Sequence, residues 1–368
     1  MKIIDRYLIS HFLVPFCYSL LAFLILYVTH DLSINLDDFL KNKVAFSTLA
    51  RYYFLNIPLI IVNSTPIAIL LSLLYSLGNM NRHHEIVAMR ASGIHIDRVL
   101  LPFLVLGVVF AILIFIINDQ LVCGYSFEQS LLKEEIFEGH KANVSGIWKN
   151  IPFRNALSNR DWFIESFDFK KKELHNVVVR EFGDNSQISR KVIAESCKWI
   201  DGQWLFLNGT IYYYTEDGLP RMSGDDSTQK PRHFSKMIMT YEETPRDFEN
   251  SRHDRGEMNF RELLRYLTFQ NKNSRLYQRI MVDLHYKIAF PFVCIIAVLV
   301  GIPFAVRTQR GGFINGIGIC IIIFLAYYGI SILFMTAGKN AMLSPALSVW
   351  IPNIIFLGFG VIAIKNAA

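Results

Sequence analysis

The residues best placed to act chemically lie in one short polar segment between two apolar stretches, Asn81-Arg-His-His-Glu-Ile-Val-Ala-Met-Arg-Ala-Ser-Gly-Ile-His-Ile-Asp-Arg98. Glu85–Ala91 consists of good helix formers, and Gly93 can end a helix. A helix this short is marginal in water by itself. Docking on another surface would stabilise it, with Ile86, Val87, Met89 and Ile94 as apolar contacts and Glu85 and Arg90 as charged ones. An interfacial turn with solvated charges, including an Arg82–Glu85 pair, fits the same residues, and the spacing leaves both readings open. His83, His84 and Glu85 are consecutive, which scatters them around a helix and argues against a metal site. A second group, Asp283, His285 and Lys287, marks the start of a later apolar run. Lys287 suits either snorkelling to lipid headgroups or contact with an anionic substrate.

Other chemistries find no support. The chain has no Walker A, HEXXH or GxSxG sequence and no Cys/His metal framework. An enzyme reading therefore has little to stand on. Cys17, Cys294 and Cys320 fall in apolar runs, while Cys123 and Cys197 show no metal spacing. Free cysteines acting as small hydrophobes are the preferred reading, with a Cys123–Cys197 disulfide as the alternative.

The elements that must position these residues are set by charge distribution. The 368 residues are 52% hydrophobic and 18% charged. Stretches free of Asp, Glu, Lys and Arg cover 12–28, 52–81, 99–118, 288–306, 311–338 and 340–364. About 20 apolar residues cross a hydrocarbon core of about 30 Å, so the sequence predicts six spans. The first run is too long for a signal-peptide core and lacks a small-x-small cleavage site. Residues 121–280 carry 24 basic and 23 acidic side chains, so five of the six net positive charges lie with the spans. A nucleic-acid partner is not supported. Lys2, Arg6, Arg82, Arg90, Arg98, Arg307, Arg310 and Lys365 would lie on one side, against Lys41, Lys43, Arg51 and Lys339 on the other. The positive-inside rule then puts both termini in the cytoplasm and the insert outside.

The expected fold is an α-helical polytopic membrane protein with an inserted extracytoplasmic all-β, jelly-roll-like domain. Residues 1–120 hold spans one to three, 121–280 the insert, and 281–368 spans four to six. Trp162–Phe169, Leu174–Phe182, Val192–Ile200, Gln203–Leu207 and Ile211–Tyr214 read as strands. Asp201-Gly202, Asn208-Gly209 and Asp217-Gly218 read as tight turns between them. Helices are expected over Ser126–His140 and Met258–Gln270. No paired buried carboxylates mark an ion-coupled carrier, and the two halves show no inverted repeat.

Several pieces now form a recognisable order: Ile4-Asp5-Arg6-Tyr7, Pro66, Glu85-Ile-Val-Ala-Met-Arg-Ala-Ser-Gly93, Pro102 and Trp199-Ile-Asp-Gly-Gln-Trp204-Leu. The back half adds His285-Tyr-Lys-Ile-Ala-Phe-Pro291, Gly301-Ile-Pro303, Arg310-Gly-Gly312 and Trp350-Ile-Pro-Asn353. Over nearly its full length the chain resembles the LptF/LptG permease family, the transmembrane subunits of the lipopolysaccharide-exporting ABC transporter. The Asp-Arg-Tyr opening and Gly146-Ile-Trp148 favour the G-type subunit.

The resemblance implies a location in the bacterial inner membrane and a coupling helix near 82–95 that docks on an LptB-like ATPase dimer. Glu85 would be its principal polar contact and Arg90 a second, with Ala91 and Gly93 as small positions allowing close approach. ATP and Mg would be used by that partner, with no cofactor bound by this chain. A second LptF/LptG-type subunit and LptC-like and LptA-like bridge proteins complete the implied assembly. Lipopolysaccharide phosphates would meet Lys41, Lys43, Lys287 or Lys339, since charge-assisted contacts are strong. Two other classes fit the layout: export of another amphipathic lipid or a lipoprotein, and a non-transporting scaffold built on the exposed β domain.

Overall fold

The computed structural model describes residues 3–138, 147–168, 171–183, 187–214, 231–252, 258–272, 274–307 and 313–365. Gly146, Asp217-Gly218 and Arg310-Gly-Gly312 lie outside these residues. Chain packing separates two compact units, Met1–Ile136 with Gln278–Ala368, and Phe137–Tyr277.

The first unit contains α1 (Ile3–Lys41), α2 (Phe46–Arg82), α3 (Glu85–Ala91) and α4 (Ile96–Ile116). A π-helical turn (Ile117–Val122) leads from α4 into α5 (Cys123–Glu138). Among the described residues six helices are long and apolar enough to cross a membrane: Ile3–Lys41, Phe46–Arg82, Arg98–Tyr125, Arg275–Val306, Gly318–Lys339 and Pro345–Lys365. The 39 residues of α1 extend about 58 Å at about 1.5 Å per residue, nearly twice a hydrocarbon core. The α1–α2 hairpin therefore continues well beyond the span itself. Three bonds tie its far end to α5: Asn42 Nδ2 to the Ile136 carbonyl (2.7 Å), Arg51 to Glu128 (3.2 Å) and Gln129 Nε2 to Asn56 Oδ1 (2.6 Å).

The fourth span is broken. Helix α8 (Arg275–Ala289) gives way to a 3₁₀ turn (Phe290–Phe292) before α9 (Val293–Arg307), and α10 (Phe313–Lys339) and α11 (Pro345–Lys365) follow. Pro291 lacks the N–H an α-helix needs and clashes with the preceding turn. Exposed backbone acceptors are costly at membrane depth, and here a side chain supplies the donor. Asn353 Nδ2 reaches the Ala289 carbonyl at 3.0 Å, while Tyr327 Oη donates to Asn353 Oδ1 at 2.6 Å. Small residues allow close helix crossings: a Cβ on Gly301 would sit 2.6 Å from Leu73, and one on Gly360 2.7 Å from Leu299.

The second unit is one antiparallel meander of β1 (Ile147–Asn155), β2 (Arg160–Asp168), β3 (Glu173–Phe182), β4 (Ile188–Ile200), β5 (Gln203–Tyr213) and β6 (Arg232–Met239). It also holds α6 (Pro245–Arg252) and α7 (Phe260–Thr268). Asp201-Gly202 makes the expected two-residue hairpin, with φ of 48° and 82°, as a primed turn requires. Asn208-Gly209 does not reverse the chain: β5 continues through it, so the two expected strands are one.

Asn208 has φ 49°, and so does Asn176, while Asn150 has 55°. The register sets Asn150, Glu165, Asn176, Glu195, Asn208 and Ser235 in one row across all six strands. On β1 to β5 two consecutive residues at this row stay out of the core, so strict alternation slips by one on every strand together. Asn tolerates the left-handed region that other side chains avoid. Asn176 and Asn208 also donate to Glu165 and Glu195, at 2.6 and 3.0 Å.

The row is a crease that folds the sheet over its own apolar face. In a flat sheet β2 and β5 would lie about 14 Å apart, yet the Trp162 ring centroid is 5.9 Å from Trp204 and 6.0 Å from Phe206. The expected jelly-roll-like domain thus takes the form of one creased meander among the described residues. Phe248 of α6, fully buried, packs within 5.0–5.7 Å of Trp162, Phe153 and Trp204. The same end is held by Arg160, which donates to both oxygens of fully buried Glu243 at 3.0 and 2.8 Å.

Candidate functional site

The polar segment singled out by sequence forms helix α3 with the expected bounds, Glu85–Ala91. Its two ends are fixed by left-handed residues: His84 has φ 60° and Gly93 has φ +87°. At the C-terminal end the Gly93 N–H meets the Arg90 carbonyl and the Ile94 N–H the Met89 carbonyl, both at 3.0 Å. This is the Schellman arrangement, which satisfies carbonyls that a helix end leaves free. A Cβ on Gly93 would meet nothing within 4 Å, so the position needs glycine for its backbone and leaves open space outside.

The apolar residues divide differently from the sequence expectation. Ile86 is 3% exposed in the unit's own core, and Met89 and Ile94 pack against that core. Burial inside this chain removes Ile86 from any external surface and leaves Met89 and Ile94 only partly accessible. Val87 stays 54% exposed, and Ala88, Arg90, Ala91 and Gly93 are exposed beside it. The outward surface of α3 is thus small side chains flanked by one cation.

Glu85 is half-buried, and its Oε2 accepts a hydrogen bond from Tyr7 Oη at 2.9 Å. The Arg82–Glu85 pair considered from sequence is not among the ion pairs of the described residues. A second contact lies alongside: Arg98 Nη2, in the first turn of α4, is 2.8 and 2.9 Å from the two oxygens of Asp5. Both partners come from the start of α1, about 80–90 residues earlier. Sequence reading used Asp5 and Tyr7 only as marks of likeness. The available signal was a charged Asp-Arg pair and a tyrosine at the foot of an apolar helix.

The four candidate lysines do not form one cluster, and their surroundings differ. Lys41 and Lys43 are exposed at the α1–α2 connection. Lys41 is the last residue of the long helix α1, and Lys43 lies two positions beyond it. Lys339 is engaged by Asp283 at 2.7 Å. Lys287 is 6% exposed, with its ammonium 3.2 Å from Cys123 Sγ. Snorkelling to water therefore does not describe Lys287 in this conformation. None of the five cysteines is joined in a disulfide among the described residues. Among the described residues no group of His, Cys, Asp and Glu could hold a metal ion.

Asn353 and Tyr327, which close the break in the fourth span, belong to the same accounting. The sequence motifs around Pro291 and Asn353 meet in space there, although 62 positions separate them. The family model described as "Lipopolysaccharide export system permease LptF/LptG" matches residues 6–366. No curated protein matches the chain.

Proposed function

The chain belongs to the lipopolysaccharide export system permease LptF/LptG family, and on that premise we propose that it works as one half of an ATP-driven lipid extractor. It is a multi-pass membrane protein of a transport family, not itself an enzyme. In this reading the membrane is the bacterial inner membrane, α3 faces the cytoplasm, and the β domain faces the periplasm. An LptB-like ATPase dimer binds at α3 and consumes ATP and Mg. A second LptF/LptG-type subunit completes the cavity, and LptC-like and LptA-like proteins receive the lipid. The Asp5-Arg6-Tyr7 opening favours the G-type subunit.

The observation that carries this reading is α3 itself. A seven-residue helix is marginal alone, yet here it is closed at its C-terminal end by the Gly93 and Ile94 N–H groups and presents Val87, Arg90, Ala91 and Gly93 outward. Such a surface fits a shallow groove on a partner. Glu85, with one oxygen bound by Tyr7, keeps the other for a cation of the ATPase. Arg90, in the last turn, supplies the second polar contact. On the outer side Lys41 and Lys43 are the first cations a phosphorylated lipid meets. Lys339 joins them once its contact with Asp283 opens, and Lys287 only if the packing around Cys123 loosens.

Energy coupling requires an element with two positions whose balance nucleotide biases. Glu85→Ala is expected to weaken ATPase association about 10- to 100-fold, the range for a hydrogen bond to a charged group. Co-purification in detergent measures it, with membrane insertion unchanged. Wild-type association and export by Glu85→Ala would remove the role assigned to Glu85.

A further inference from the structure

Helix α3 is joined by the chain to α2 on one side and α4 on the other. It has no covalent link to α1 except through the whole of α2. Yet α1 is the least buried of the six span helices and carries the exposed apolar residues Leu13, Val14, Tyr18, Leu21 and Ile25. A displacement of α3 therefore pulls α2 and α4 directly. It reaches the foot of α1 both through the packing of Leu8, Phe12 and Phe16 on those helices and through the polar side chains that tie it to the α3 segment.

Two bridges stand at that foot. Tyr7 donates to Glu85 at 2.9 Å, and Asp5 pairs with Arg98 at 2.8 Å. Asp5 is 13% exposed and Arg98 36%, so this pair is partly shielded from solvent, where an ion pair is screened less than on the open surface. The tyrosine touches the same carboxylate that is assigned to the ATPase. One oxygen faces α1 and the other is left for the partner, so Glu85 is a joint between two bodies.

We propose that Tyr7 and Asp5 are positioning residues that latch the foot of α1 to the α3 segment, so that nucleotide-driven motion of α3 moves α1 along with α2 and α4. Tyr7 acts through Glu85 and Asp5 through Arg98. The inference rests on the docking role of α3 but makes a separate claim about what happens above it. Loss of the latch leaves the ATPase bound and hydrolysing while α1 lags behind.

The test uses the full permease complex with its ATPase in proteoliposomes loaded with lipopolysaccharide. It reads ATPase association, ATP hydrolysis, and lipid delivered per ATP. Tyr7→Phe removes one hydroxyl and keeps the ring. It should leave association within about twofold and lower lipid delivered per ATP severalfold. Tyr7→Phe combined with Glu85→Ala, which has no side-chain acceptor, should be no worse coupled per ATP than Glu85→Ala alone. Asp5→Arg and Arg98→Asp should each uncouple, and the doubly reversed variant should recover most of the ratio, which a purely structural defect would not do. An unchanged ratio in Tyr7→Phe, or no recovery in the reversed pair, overturns the latch. If Glu85→Ala keeps full association while Tyr7→Phe still uncouples, the docking role of Glu85 fails and the latch stands.

Discussion

In the β domain Phe248 is sealed among Phe153, Trp162 and Trp204, whereas in the membrane unit the broken fourth span is closed by a single amide, Asn353, on the Ala289 carbonyl. Both contacts hold a discontinuity in place, but the solvent decides their worth. In water, removing aromatic surface is a leading source of stability. Between helices in lipid that driving force is missing, since acyl chains are as apolar as leucine. Close packing at Gly301 and Gly360 and scattered polar bonds must then fix the geometry. One region is made stable by its filling, and the other is kept in shape by its fastenings.

The largest expected effect lies in the β domain. Phe248→Ala should cost about 3–5 kcal/mol and lower the unfolding midpoint of that domain. Four of the five tryptophans lie in it, so intrinsic fluorescence follows it within the intact protein. A loss below about 1 kcal/mol would mean that the aromatic interior does not depend on α6.

The next concerns alkaline pH. Burial pushes the Cys197 thiol well above its ordinary value of 9.0. Burial first, and then the nearby Glu181 carboxylate, also push Tyr241 up from 10.0. Both groups are neutral in the fold, so their contribution is intact below pH 9. As pH rises above 9 the unfolded thiol ionises and the folded one does not, which removes about 1.4 kcal/mol of stability per pH unit. Tyr241 steepens the loss above pH 10. Urea midpoints of the tryptophan transition from pH 8 to 10.5 should fall, and Cys197→Ala should delay that fall to the tyrosine range. Coincident curves for the two proteins would refute the assignment to Cys197.

The smallest effect belongs to the membrane unit. Asn353→Leu leaves the Ala289 carbonyl and the Tyr327 hydroxyl without their partner. The cost should be about 0.6–1.7 kcal/mol, the range seen for hydrogen bonds between membrane helices. Trp350, 5.2 Å from Phe292 beside the break, can report it during denaturation in detergent. A cost near that of Phe248→Ala would erase the contrast between the two regions.

What could be read from sequence follows the same physics. Charge-free runs named all six spans because a membrane imposes length and composition on each segment separately. Glu85–Ala91 and Gly93 were legible because helix propensity and a left-handed cap are local. The crease was not, since an asparagine with positive φ inside a strand has the composition of a turn, and Asn208-Gly209 was read as one. Nor were the Tyr7–Glu85 and Asp5–Arg98 contacts, whose partners lie 78 and 93 residues apart. The lysines were found as cations, but their availability depends on neighbours such as Asp283 and Cys123 that only the fold supplies.

The creased row has a consequence for how such a domain can change over generations. Because every strand bends at the same level, a single inserted or deleted residue in one strand would carry its bend out of line with its neighbours and turn its apolar side outward. Length changes are then confined to the connections and strand ends, while the distance from hairpin to crease is inherited as one shared measure. Homologues of this chain should therefore differ in length outside the strands and hardly at all in the spacing between Asp201-Gly202 and Asn208.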